Sequence, residues 1–263
     1  MRGMILFAAS AWMLSPLVAH ADSPLDGTWK ADPSTAELPS KPDVLLLKDG
    51  MFRCDSCVPP VVIKADGQDQ RVTGHPYFDT KSVKAIDDRT IQEIDKKAGK
   101  VVDSKRWVVS PDGKTASCDE TDSTAPNGPP VLVKSTYERV LRGAPGGHVI
   151  SGSWRITKLN NVSEAGLLVT YKLDGTVLKM TNPLGQSYAA TLDGGDAPFV
   201  GDPGITSVVV KSINKSTIEE SDKRDGKIIW IGRIAVSADG KSMSVMWIDN
   251  LHGTTGAYGA KKQ

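Results

Sequence analysis

The sequence has few of the features by which catalytic and nucleic-acid-binding chains announce themselves. Among 263 residues there are four histidines and three cysteines, and aromatic side chains make up 6%. Lysine plus arginine (32) nearly equals aspartate plus glutamate (31), leaving a formal charge of +1. A chain so balanced has no long-range field to draw in nucleic acid or an anionic lipid surface. Gly-x-Ser-x-Gly, His-Glu-x-x-His and glycine-rich phosphate loops do not occur, which removes the commonest hydrolase, zinc-protease and nucleotide-binding signatures. No metal, nucleotide or redox cofactor is indicated. Beyond the first 18 residues no apolar run could span a bilayer as a helix, so stable membrane insertion is not expected.

What is present begins with an address. Arg2 precedes an apolar run from Met4 to Val18, which ends in Ala19-His20-Ala21. A basic start, a short apolar stretch and an A-x-A site read as a secretory signal peptide over residues 1–21. The mature chain is expected to be soluble and either periplasmic or secreted. No cysteine stands near the cut to accept a lipid.

Export permits disulfides, and the chain offers Cys54, Cys57 and Cys118. Cys54-x-x-Cys57 follows the strand-like Met51-Phe52-Arg53 and precedes Pro59-Pro60, whereas redox motifs place the first cysteine at a helix N-terminus. The expectation is therefore a structural bridge from Cys118 to Cys54 or Cys57. A zinc site lacks a fourth ligand of suitable spacing, His75 being the only candidate, and no metal site is expected.

The most informative feature is a duplication. Gly27-Thr28-Trp29-Lys30 returns as Gly152-Ser153-Trp154-Arg155, an offset of 152 − 27 = 125. Further on the offset becomes 127, and it holds from Asp66-Gly67/Asp193-Gly194 to Val109-Ser110-Pro111-Asp112-Gly113-Lys114/Val236-Ser237-Ala238-Asp239-Gly240-Lys241. Propeller blades and solenoid repeats recur every 20 to 50 residues or so, so a unit of this size is a domain in its own right. The division expected is a first unit over 22–141, a turn-rich linker over 142–149, and a second unit over 150–263.

Within each unit, Asp-Gly and related turns separate short runs rich in Val, Ile, Thr and aromatics, which is the pattern of β-hairpins. Thr90-Ile91-Gln92-Glu93 and Thr217-Ile218-Glu219-Glu220 alternate with apolar residues, so Glu93, Glu219 and Glu220 read as the solvent face of strands. The fold class expected is all-β: two tandem antiparallel meander barrels of about eight strands each, closed to remove exposed edges.

Gly27-x-Trp29 opening a first strand, a run of hairpins, and Tyr137-Glu138-Arg139 at the end resemble the lipocalin, or calycin, barrels. The resemblance implies a tryptophan plugging one barrel end with a late arginine packed across it, Trp29 with Arg139. The second unit has Gly152 and Trp154 but ends Tyr258-Gly259-Ala260-Lys261, without that arginine.

Strand parity then compares the interiors. Met243, Val245 and Trp247 share a face, and their counterparts are Ala116, Cys118 and Glu120. The first barrel is thus expected to hold the roomier cavity, lined by Trp107, Ala116 and Glu120, with Glu120 at a solvent-facing strand end as the alternative. The second, with Trp247, is expected to be packed. Three functions fit: a carrier of one small apolar molecule, an envelope interaction module with a protein partner, or an enzyme using His75 as acid or base.

Overall fold

The computed structural model describes residues 23–263, so the signal-peptide expectation lies outside the described residues. The first half forms β1 (Gly27–Glu37), β2 (Asp43–Lys48), β3 (Met51–Cys54), β4 (Val61–Lys64) and β5 (Gln70–Arg71). It continues with β6 (Thr80–Asp87), β7 (Thr90–Lys97), β8 (Lys100–Val109), β9 (Thr115–Asp122) and β10 (Val131–Arg142). The second half forms β11 (Gly152–Val162), β12 (Leu168–Asp174), β13 (Val177–Thr181), β14 (Ser187–Thr191) and β15 (Asp193–Val200). It ends with β16 (Ser207–Asn214), β17 (Thr217–Arg224), β18 (Lys227–Val236), β19 (Ser242–Asp249) and β20 (Thr254–Lys262). Ten strands per sheet exceed the expected eight because some carry little apolar pattern, such as the two-residue β5 and the glycine- and proline-bearing β15. Among the described residues the only helical element is the single turn Glu164–Gly166.

All pairings are antiparallel. The tight hairpins follow from backbone chemistry: Asp49-Gly50 (φ 51° and 73°), Ala98-Gly99 (49° and 78°) and Asp225-Gly226 (51° and 78°) are left-handed at both central positions. That is the turn whose twist matches paired strands.

The two sheets do not follow the duplication boundary. The closed barrel contains β12 to β20 in sequence, and β1 closes it, pairing with β12 (Gly27↔Tyr171) and with β20 (Ala31↔Ala260). The other sheet has the order β4-β3-β2-β11-β10-β9-β8-β7-β6-β5, with a bridge from Asp66 to Lys84 drawing its two ends together. The two opening strands are thus exchanged, which corrects the division expected at residues 142–149. The physical reason is the short connection over residues 143–151. It folds β11 straight back on β10, with pairs from Val133↔Val162 to Arg142↔Gly152, and consecutive strands joined this way pair most readily. With its first position filled by β11, the first barrel leaves β1 free to close the second.

The tryptophans travel with their strands. Trp29 is fully buried in the core of the second barrel with Leu25, Tyr171 and Leu178. Trp154 is fully buried in the first, with Phe52, Ile91, Trp107 and Ile150. Their indoles make equivalent hydrogen bonds, Trp29 Nε1 to the Leu25 carbonyl (2.9 Å) and Trp154 Nε1 to the Ile150 carbonyl (2.7 Å). Arg139 covers Trp154, not Trp29 as the resemblance implied, and Lys262 covers Trp29 in the arginine's place.

The disulfide joins Cys54 to Cys57, and Cys118 is a buried free thiol, correcting the bridge expected from Cys118. Chain geometry explains it. Asp55-Ser56 turns the chain back at the end of β3, bringing the two Cα atoms to 5.5 Å, within bonding range. Cys118 lies mid-strand on β9, opposite Ser135 and Trp107, and faces the core.

Candidate functional site

The strands adjacent in each sheet, β6–β9 and β16–β19, carry the chemistry, and their register is the same in both barrels. In the first, Lys81 pairs with Asp95, Asp95 with Asp103, and Asp103 with Asp122. One step along, Val83 pairs with Glu93, Glu93 with Lys105, and Lys105 with Glu120. The inward set is therefore an ion-pair network, buried at Lys81, Glu93, Asp95 and Asp103 and half-buried at Lys105 and Glu120. Lys81 Nζ lies 2.9 Å from both Glu93 and Asp95, and Lys105 Nζ lies 2.8 Å from Asp103 and 2.9 Å from Glu120.

Buried charges survive only when paired, and the titration of each group reflects that competition. At Glu93 burial pushes the carboxyl up, but Lys81 and Lys105 outweigh it and hold it below the usual range. At Asp95 and Asp103 burial prevails over the lysines, and both are raised. Lys81 and Lys105 are opposed by burial yet held charged by these acids, Lys105 strongly so.

In the second barrel the same positions read Val208–Asp222–Trp230–Asp249 and Val210–Glu220–Gly232–Trp247. Neither lysine has a counterpart, while the acid at the second position of each row is common to both barrels, as is the aspartate that ends the first row. A side chain at 232 would collide with the Trp230 ring, so Gly232 is what lets that indole occupy the space. Glu220 accepts a hydrogen bond from the Tyr188 hydroxyl (2.6 Å), and Asp222 has a buried Oδ1 with no partner. Burial pushes Glu220 up to about 7 against the opposing Tyr188 bond. Burial, then the nearby Glu220 and Asp202, push Asp222 up to about 8.

Sequence reasoning placed Glu93 and Glu220 in solvent, and this is overturned: each is 6% exposed and faces inward, while Glu219 is partly exposed. The signal that marks them is parity. Glu93 and Asp95 alternate with Ile91 on one face, as Glu220 and Asp222 do with Ile218, and both isoleucines are core.

Two cavities of similar size differ in chemistry. One of about 370 Å³ at the mouth of the first barrel is lined by Asp95, Asp103, Lys105, Glu120 and Asp122, with Gln186 and Asp202 arriving from loops of the second. The other, about 380 Å³, reaches the interior of the second barrel between β1 and the inward residues Tyr171, Met243, Val245, Tyr258 and Ala260. The second barrel has a packed core, and the cavity meets that core at Tyr171, Met243, Val245 and Ala260, away from the rim. Trp247, half-buried, lies against Gly256 and borders a separate 240 Å³ cleft with Asp249 and His252.

Of the residues singled out by sequence, Glu120 lines the first cavity, ion-paired to Lys105. Trp107 and Ala116 belong to the packed first core, where Trp107 leans on Tyr137 at 4.6 Å. His75 stacks on Phe78 (4.5 Å), and burial with Lys81 nearby lowers its pKa. These residues are not gathered into one site. Among the described residues, no cluster of three or more metal-ligating side chains occurs. No family model matches the chain, and no curated protein matches it at a significant level.

Proposed function

We propose that this chain is an exported, lipocalin-like protein that holds one small apolar molecule in its second barrel. The observation that carries this reading is the 380 Å³ cavity walled by inward-facing Tyr171, Met243, Val245, Tyr258 and Ala260. Its size falls within the range of small-molecule sites, about 300–1,000 Å³, which are mostly apolar with a few polar groups. Closed barrels of this kind are wide enough to enclose one such molecule. The Gly-x-Trp openings, each indole covered by a late cation, support the lipocalin-like reading. The first barrel is the weaker host, since its polar groups already neutralise one another.

Native mass spectrometry of the protein purified from the exported fraction of its own host, followed by solvent extraction, tests this. The expected spectrum shows one defined small molecule per chain. A bare chain mass, under conditions that keep weak complexes intact, would count against a carrier and favour an interaction module with two filled domains.

A further inference from the structure

We infer that the molecule held in the second barrel carries a primary ammonium, which sits against Glu220 and Asp222 where Lys81 sits in the first barrel. This rests on the carrier reading above and narrows its ligand to small apolar amines.

The argument is an internal comparison. The two barrels present the same pair of inward acids on the same strand in the same register, Glu93 and Asp95 on β7, Glu220 and Asp222 on β17. In the first barrel one ammonium, Lys81 Nζ, satisfies both acids at 2.9 Å. That side chain amounts to a butylammonium group delivered from the neighbouring strand: an apolar stem with a compact charged head. In the second barrel the residue across from Asp222 is Val208, fully buried, and the second lysine position is Gly232. Both barrels carry the acids, and only the first carries the cations.

Leaving a carboxylate buried without a cation is costly, and among the described residues no cation answers either acid in the second barrel. Asp222 is 7% exposed, yet its Oδ1 meets no donor. Glu220 is satisfied only by a neutral hydroxyl, that of Tyr188. Tyr188 on β14 donates to Glu220, Tyr171 on β12 and Tyr258 on β20 feel the charge of Glu220, and Asp202 in the loop before β16 acts on Asp222; all four are neutral or acidic. Among the described residues no lysine or arginine pairs with either acid. Tyr171 and Tyr258 also line the 380 Å³ cavity. Neither acid lines the cavity itself; it approaches them through Tyr171, which hydrogen-bonds with Tyr188, whose hydroxyl donates to Glu220, and past these tyrosines the head of an amine with a hydrocarbon body reaches the pair.

The test is isothermal titration at pH 7.5 with two probes of equal length, hexylamine and 1-hexanol, on the mature chain. The variants are Glu220→Gln, Asp222→Asn and Val208→Lys. Hexylamine is expected to bind at least tenfold more tightly than hexanol, and the difference should collapse in Glu220→Gln and Asp222→Asn. Val208→Lys should supply the missing ammonium from within and abolish the preference. If that variant does not fold, the two near-isosteric variants still decide. Equal binding of the two probes, or an amine preference untouched by both acid variants, overturns the ammonium site while leaving an apolar carrier standing. Failure of both probes to bind the wild-type chain overturns the carrier reading together with it.

Discussion

The guanidinium of Arg139 lies over the indole of Trp154, 4.0 Å from the ring centre, although the two residues belong to different copies of the duplication. The same side chain donates to the carbonyls of Gly113, Ser151 (2.8 Å) and Val149. One residue thus ties the β8–β9 turn, the linker and the start of β11 into the end of the first barrel. Lys262 over Trp29 at 5.3 Å does the corresponding work more loosely, as expected of a point charge beside a planar fork.

Arg139→Ala is expected to cost about 2–3 kcal/mol, from the lost stacking and charged hydrogen bonds. Arg139→Lys should recover only a minor part, because an ammonium cannot span three carbonyls while lying flat on an indole. Urea unfolding followed through tryptophan fluorescence measures both. A loss below 0.5 kcal/mol, on the order of an ordinary surface change, would mean that the stacked arginine is not a structural clamp.

The strand exchange predicts a cross-link. Thr28 of β1 and Thr170 of β12 are register partners with hydroxyls 2.8 Å apart, and a directly opposed antiparallel pair is close enough for a disulfide. Thr28→Cys with Thr170→Cys is expected to oxidise to an intramolecular bond, read as a mobility shift on a non-reducing gel. If β1 instead closed the first barrel, the new thiols would stay free.

Much of this architecture is legible in the residues. The offsets of the duplication, the Asp-Gly turns and the parity of Trp107, Ala116 and Met243 all carry into the structure, because each rests on local geometry: left-handed turn positions and a period of two. The exchange is not legible in the same way. β1 and β11 are copies, so either satisfies the pattern of either barrel, and the choice is made by linker length. The cysteines mislead because a bridge across three residues needs a sharp turn that composition does not reveal. The buried acids are the instructive case. Residue type puts Glu93 and Glu220 in water, while their parity with Ile91 and Ile218 puts them inside, and parity prevails because Lys81 neutralises the first pair.

Glu220 and Asp222 also predict a pH dependence. Both lie above the unfolded carboxyl range of about 4, pushed up to about 7 and about 8 by burial. Between those limits the folded ligand-free chain holds more protons than the unfolded one, so its stability falls as pH rises from 5 to 8 and levels off above. Each unit of separation corresponds to about 1.4 kcal/mol. Asp43, Asp95 and Asp103 are raised as well and stay in place in the variants, so the informative quantity is a difference. The double variant Glu220→Gln/Asp222→Asn should show a shallower decline of unfolding free energy over pH 5–8 than wild type. Parallel curves would mean that neither acid holds a proton in the fold.

The central claim, that the second barrel is the ligand compartment, is tested most directly by a fluorescence titration with N-phenyl-1-naphthylamine, a neutral apolar probe. Ala260 and Ala31 face each other across β20 and β1, and both line the 380 Å³ cavity. Saturable binding of one probe per chain is predicted, weakened at least tenfold by Ala260→Phe or Ala31→Phe in a variant whose unfolding transition remains cooperative. An affinity unchanged by either substitution, or no saturable binding by the wild-type chain, would contradict it.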